Sequence, residues 1–216
     1  MSTMFAPRCS SFARLLFLVA SAVLSPGAQA APESLAQNAP VRPVRERLAL
    51  SQWQFAPEQS PPVAGAQLAV PEKANWCPVT VPHIFRQSGL PDESAGWYRT
   101  TLKPSVLEKG ESFYLVLEGA ASVKNVFVNG QQIGEHKGAY SRAAFDLTPA
   151  LRFGRDNFLA VRVSNRSEEA QNCFSRSTLY YVNGGMFRPA WLVKTGAVHL
   201  YPDMGSTGLY LTPKGG

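Results

Sequence analysis

Cysteine, histidine and long apolar runs are all scarce in this 216-residue chain, and each scarcity closes off a class of protein. The three histidines, His83, His136 and His199, lie too far apart to supply the paired, closely spaced ligands of a metal site, so no metal is expected, and no motif calls for another cofactor. The longest apolar run, Leu15 to Leu24, is ten residues, about half of what a membrane span requires. Charge is only mildly unbalanced. The formal charge is +6, and loss of Arg8 and Arg14 with a leader leaves 19 basic against 15 acidic residues, or +4. Arg42, Arg45 and Arg47 form the only tight basic group; broken by Pro43 and Glu46, it reads as a solvated linker rather than a nucleic-acid footprint. Internal repeats and a convincing amphipathic helical period are lacking too.

What is present begins with a leader. Arg8 and Arg14 precede the apolar run, Ser25-Pro26-Gly27 follow it, and Ala28-Gln29-Ala30 puts small residues at a cleavage point. Residues 1–30 therefore read as a secretory signal peptide cut after Ala30, which places the mature chain in the periplasm or outside the cell. Cys9 leaves with the leader. Cys77 and Cys173 then meet an oxidising compartment, where they either bridge or stay as two separately buried thiols, and spacing leaves both open. Residues 31–47, rich in Pro, Ala and Gln, read as an extended linker.

From Leu48 onward the pattern is β. Phe113 to Leu117 and Val123 to Val128 are short, β-branched and aromatic, and Asn129-Gly130 supplies a type I′ turn, because Asn and Gly reach positive φ at least cost. Gly134 and Gly138 mark the end of the return strand. Further strands are expected at Leu50 to Phe55, at Trp76 to His83 on a sheet edge, at Trp97 to Leu102, at Ala143 to Leu147, at Ala190 to Lys194 and at Val198 to Tyr201. In Phe158 to Val163 the alternation turns Leu159, Val161 and Val163 inward and Arg162 outward. Thr148-Pro149 opens a single helical turn, and Asn165-Arg166-Ser167 is an N-glycosylation sequon on an expected surface loop. About ten short strands with turns between them describe an all-β fold, an antiparallel β-sandwich of jelly-roll type over residues 48–203. Residues 204–216 read as the start of a following domain.

These motifs, in this order, resemble the N-terminal sugar-binding, galactose-binding-domain-like jelly roll of glycoside hydrolase family 2, which includes β-galactosidases, β-glucuronidases and β-mannosidases. The resemblance runs from Leu48 to Tyr201. It rests on Val79-Thr80-Val81-Pro82-His83, Gly96-Trp97-Tyr98-Arg99, Leu117 to Ala120, Val126 to Gly130, Gly134 to Tyr140, Phe145 to Thr148, Asn157 to Asn165, and Gly184-Gly185-Met186-Phe187-Arg188. Phe85 stands where the family usually has tryptophan, and Ala139 where a second glycine is common. In the family's galactosidases an aspartate upstream of the Gly-Gly-x-x-Arg motif reaches the substrate; here no aspartate lies between Asp156 and Asp203.

The resemblance implies a non-catalytic domain whose partners are a β-glycoside and the immunoglobulin-like and barrel domains of a parent hydrolase. The family's acid/base Asn-Glu pair does not occur, and retaining hydrolysis needs two carboxylates about 5 Å apart, so no catalytic residue is assigned. Trp97, Tyr98, Tyr181, Asn183 and Arg188 are the candidates for substrate contact or for an interface with another domain. Trp97 and Tyr98 point to opposite sheet faces, so an exposed ring that stacks on a sugar is one reading, and the preferred one is Trp97 in the core with Tyr98 covered by a neighbouring domain or loop. Residues 180–185 are the segment expected to face a catalytic domain, since glycines permit close backbone approach. Arg99 and Arg188 are expected in structural ion pairs, and His83 as a hydrogen-bonding residue that fixes a loop. The competing reading is a stand-alone secreted carbohydrate-binding or adhesion module.

Overall fold

A computed structural model describes residues 45–62, 67–169 and 182–200, all within one compact unit that runs from Val44. Ten strands are described: β1 (Arg45–Ala49), β2 (Gln52–Pro57), β3 (Cys77–Thr80), β4 (Ala95–Leu102), β5 (Ser112–Leu117), β6 (Val123–Val128), β7 (Gln131–Lys137), β8 (Ala143–Asp146), β9 (Asn157–Ser164) and β10 (Ala190–Thr195). They form two antiparallel sheets, β1-β10-β5-β8 and β3-β2-β4-β9-β6-β7. The β-sandwich expected from the turn spacing is the observed architecture.

Between the sheets lies a core of Phe113, Leu115, Leu117 and Leu192 from the smaller sheet and Phe55, Tyr98, Leu159, Val161 and Val163 from the larger. Burying side chains of this size contributes about 1.5–3 kcal/mol each, which is what makes period-2 patterning so legible. The β6–β7 hairpin turns at Asn129 (φ 51°) and Gly130 (φ 85°) as the type I′ chemistry requires. Asn129 also ties that end of the sandwich together, donating through Nδ2 to the Ala150 carbonyl and to Asn157 Oδ1.

Several expectations shift. The fold starts at Arg45, inside the expected linker, because Arg45–Ala49 pair with Trp191–Thr195. The basic group of the linker is thereby partly a strand. The single strand expected from Leu50 begins at Gln52. β7 runs through Gly134 to Lys137, its register shifting opposite Val126 and Phe127, so this glycine marks a bulge and not a strand end. The helical turn spans Thr148–Ala150 and is opened by Asp146, whose carboxylate accepts from the Thr148 N–H, while Thr148 Oγ1 accepts from Phe113 N–H. Residues 198–200 form no strand. Cys77 is disulfide-bonded, while Cys173 lies outside the described residues.

The largest departure concerns the outer face of the six-stranded sheet. Arg162, expected in solvent, is 1% exposed. Its Nε and Nη2 donate to Glu58 at 2.5 and 2.8 Å, and Nη1 and Nη2 donate to Glu169 at 2.6 and 2.8 Å. Arg166 adds a second cation on Glu58 at 2.5 Å. Burial alone would lower the Arg162 guanidinium, but the hydrogen bonds and charge of Glu58 and Glu169 outweigh it and hold the cation firmly. Beside this network Trp97, Phe127 and Ala160 are capped by Leu68, Val70 and Trp76. The face that alternation assigns to water is a second, partly ionic core.

Candidate functional site

Loops following β3, β5, β7 and β9 gather at one end of the sandwich, and residues 182–189 thread between two of them. On one side His83 N–H donates to the Met186 carbonyl (2.8 Å) and Phe85 N–H to Gly184 (2.9 Å). On the other, Ala121 N–H donates to Gly185 (3.1 Å), Arg188 N–H to Gly119 (3.2 Å) and Glu118 N–H to Pro189 (3.1 Å). Gly185 must be glycine. Its φ is 112°, and a Cβ there would lie 2.7 Å from the His83 carbonyl and 2.9 Å from the Tyr98 hydroxyl. Close backbone approach of these glycines occurs within this unit, against the loop after β3.

A buried polar framework fixes these loops. Met186 N–H donates to the Tyr98 hydroxyl (3.4 Å), which bonds His83 Nδ1 at 2.8 Å, while His83 Nε2 meets Ser88 Oγ at 3.0 Å. Both ring nitrogens are satisfied by hydroxyls in the neutral form. Burial lowers the imidazole to about 4 and pushes the Tyr98 hydroxyl well above its usual range. The loop-fixing role expected of His83 is what this geometry performs. A neutral folded imidazole opposite an unfolded value near 6.5 means that stability is complete above pH 6.5 and falls as pH drops toward 4, by up to about 3 kcal/mol. Urea midpoints between pH 7 and 4 should show that slope, and His83→Gln should flatten it.

Asn165 is the second anchor, 7% exposed. Its Nδ2 donates to the carbonyls of Asp92 (3.0 Å) and Val182 (3.3 Å), and its Oδ1 accepts from Ser122 Oγ (2.7 Å). The sequon is therefore closed, contrary to its expected surface position. Lys124, fully buried, donates Nζ to the carbonyls of Ala120 (2.9 Å) and Gly138.

Arg188 is exposed at this end, stacked on Phe187 with 5.9 Å between guanidinium carbon and ring centroid. The Phe187 and Tyr140 rings meet edge to face at 5.6 Å, and Tyr140 is 46% exposed. Arg142 donates to Glu118 at 2.6 Å nearby.

A family model described as the glycosyl hydrolase 2 galactose-binding domain-like family matches residues 89–200, a span that covers β4 to β10 and the threading segment but begins after His83, Phe85 and Ser88. The chain belongs to this family. Over 136 residues it is 31% identical to the β-galactosidase of Thermoanaerobacter pseudethanolicus, covering 60% of this chain and 18% of that enzyme. To β-galactosidase BoGH2A of Bacteroides ovatus it is 33% identical over 117 residues, covering 54% and 12%. A solved Bacteroides uniformis β-glucuronidase superposes with a TM-score of 0.58 at 26% identity, over 73% of this chain and 19% of that one. The chain spans less than a fifth of the length of these glycosyl hydrolase 2 relatives.

Placed on this glycosyl hydrolase 2 domain, the predicted site residues separate. Trp97 (4% exposed) and Tyr98 (0%) are both buried within the unit, one under Trp76 and Leu68, the other against Phe55 and His83. Neither has a ring face to offer a sugar. Asn183 is half-buried in the threading segment, Arg188 is exposed beside it, and Tyr181 lies outside the described residues. Among the described residues Arg99 and Arg188, expected in ion pairs, stack on aromatic rings instead. Arg99 sits 4.1 Å over the Trp76 ring and donates to Gln54, and Arg188 lies on Phe187. Sequence reasoning missed Tyr140 and Phe187. Their signal was the aromatic closing each Gly-rich motif, Gly138-Ala139-Tyr140 and Gly185-Met186-Phe187.

Proposed function

We propose that this unit serves as the non-catalytic sugar-binding domain of a secreted family 2 glycoside hydrolase, with its loop end, including Asn183 and Arg188, turned toward a β-glycoside. Hydrolysis of terminal β-glycosidic bonds would then belong to immunoglobulin-like and barrel domains of the parent enzyme. The observation that carries the reading is how this end uses its buried and half-buried carboxylates. Asp92 is held by Arg86 at 2.5 Å and faces the Gly184 N–H, Glu118 is held by Arg142, and Glu58 and Glu169 are held by Arg162. A carboxylate locked to a guanidinium is a poor proton shuttle and a poor nucleophile, whereas a retaining pair must have one member free to attack.

Secretion is supported by the leader pattern and by the bonded Cys77, since structural disulfides persist in oxidising compartments. With the leader cut after Ala30, a non-reducing peptide map of the exported chain should recover Cys77 and Cys173 in one linked pair. The functional test is twofold. Purified chain should give no turnover of aryl β-galactosides or aryl β-glucuronides, and calorimetry should detect weak binding of a methyl β-glycoside that Asn183→Ala reduces. Turnover would overturn the non-catalytic role, and silence toward every β-glycoside would overturn sugar binding.

A further inference from the structure

The end of the sandwich opposite the threading segment carries a turn built by one buried amide. Asn157, fully buried, accepts from the Arg152 N–H through Oδ1 at 2.7 Å and donates through Nδ2 to the carbonyls of Arg152 (2.9 Å) and Arg155 (3.0 Å). Phe153 anchors this loop from below, its ring 6.3 Å from that of Phe113, and Gly154 reverses the chain at φ 79°. The Asn129-Gly130 turn stands beside it, joined by the bond from Asn129 Nδ2 to Asn157 Oδ1 at 2.9 Å. A Cβ placed on Gly130 or Gly154 would meet nothing within 4 Å, so both turns project from the body of the protein.

This projecting tip is basic and aromatic. Arg152 and Arg155 are exposed, and neither guanidinium has a partner among the described residues. By contrast Arg86, Arg142, Arg162 and Arg166 each meet a carboxylate, while Arg99 and Arg188 lie on aromatic rings. The adjoining acid, Asp156, is paired with Lys103 at 2.7 Å, so it leaves the two arginine charges uncancelled. Phe158 follows with its N–H tied to Asn129 Oδ1 at 3.1 Å. At 64% exposure it is the most open aromatic ring among the described residues, and the cover laid over Trp97 and Phe127 does not reach it.

We infer that this tip docks on an anionic lipid bilayer, with the guanidinium groups of Arg152 and Arg155 among the lipid phosphates and the Phe158 ring in the interfacial layer. Convexity selects the partner. A protein partner would need a complementary groove and a contact of about 1,000 Å² or more, whereas a bilayer interface closes around a projecting ring and attracts each nearby cation. Two cations and one ring give reversible attachment that lies on the surface without spanning it. Held in this way, the chain turns its threading segment, with Asn183 and Arg188, away from the bilayer. The inference is independent of the sugar-binding reading.

The test is co-flotation of the exported chain with vesicles of phosphatidylglycerol and phosphatidylcholine in equal parts, against vesicles of phosphatidylcholine alone. At low salt, partitioning should be about 25-fold stronger on the anionic vesicles, or about fivefold for each arginine. That preference should fade as salt rises from about 50 to about 500 mM. Arg152→Gln and Arg155→Gln should each lose about fivefold, and the double variant nearly all of the preference. Lysine at both positions should keep most of it, since charge is what the phosphates read. Phe158→Ser should weaken partitioning onto the anionic vesicles by about tenfold. Because these side chains are exposed, every variant should keep the wild-type melting temperature, which separates a lost surface from a lost fold. The inference falls if the wild-type chain partitions equally onto both vesicle types, if the preference survives the double glutamine change, or if Phe158→Ser partitions like wild type. Retention on immobilised polyglutamate by a chain that ignores anionic vesicles also overturns it, and assigns the tip to an acidic protein instead.

Discussion

Glu58→Ala is expected to lower the unfolding free energy by about 3 kcal/mol, the low end of the range for removing one partner of a buried pair. The carboxylate is the shared acceptor for Arg162 Nε and Nη2 and Arg166 Nη1. Without it the Arg162 guanidinium, 1% exposed, keeps Glu169 alone, and two of its N–H groups face a dry cavity. The surviving Glu169 contact is why the loss should not reach the top of the range. In a domain of this size the melting temperature should fall by about 6–12 °C. Chemical denaturation of wild type, Glu58→Ala, Arg162→Met and the double variant at pH 7 checks the origin. If the ion pair is responsible, the double variant costs clearly less than the sum of the singles. Additive losses would show that the residues act separately.

The same network sets an acid limit. Burial pushes the Glu169 carboxyl up, but the hydrogen bond and charge of Arg162, then Ser164 and Arg166, outweigh that and bring it below the usual carboxylate range. The folded carboxyl therefore releases its proton more readily than the unfolded one. Its contribution is intact above about pH 4.3 and is lost as pH falls through the lower folded value. This loss begins where the contribution of His83 is nearly spent, so acid unfolding should deepen in two stages.

Asn165→Ala carries the second large effect, about 2–4 kcal/mol. The amide stitches the loop after β3 (through Asp92), the loop after β5 (through Ser122) and the threading segment (through Val182). Truncation strands two carbonyls and a hydroxyl in a site with little water, and each unsatisfied group costs about 1–3 kcal/mol before relaxation. Asn165→Asp, which keeps the size but exchanges the Nδ2 donor for an acceptor facing two carbonyls, should be at least as damaging. Urea unfolding measures both. A loss under about 1 kcal/mol for alanine would mean that the loops are held by their backbone bonds instead. A glycan on this side chain is incompatible with the fold, so chain expressed in a eukaryotic host should show Asn165 unmodified in the folded, secreted fraction.

How much of this was readable beforehand depended on the range of the interaction. The hairpin at Asn129-Gly130 and the inward set Leu159, Val161 and Val163 are decided by neighbours in sequence, and both appear as the pattern requires. Arg162 was misread because alternation reports which residues share a face and says nothing about what covers it. The cover comes from Glu58, 104 residues away. Trp97 is in the core, as preferred for it, but its cover of Leu68, Val70 and Trp76 comes from a stretch with no periodicity of its own. The sequon at Asn165 is a local signal contradicted by three distant partners. Arg188 and its neighbours were legible as motifs, but only packing shows that Gly119 makes room for them.

The pairing of β1 with β10 has a consequence for how the chain is made. β10 lies between β1 and β5, so the last of the described strands is an interior member of its sheet. Until Ala190–Thr195 have left the ribosome or the export channel, β1 has no described partner and β5 has one bare edge. Assembly cannot proceed from the N-terminus in order, and the smaller sheet should close in a single late step, during which export machinery or a chaperone meets an open sheet edge.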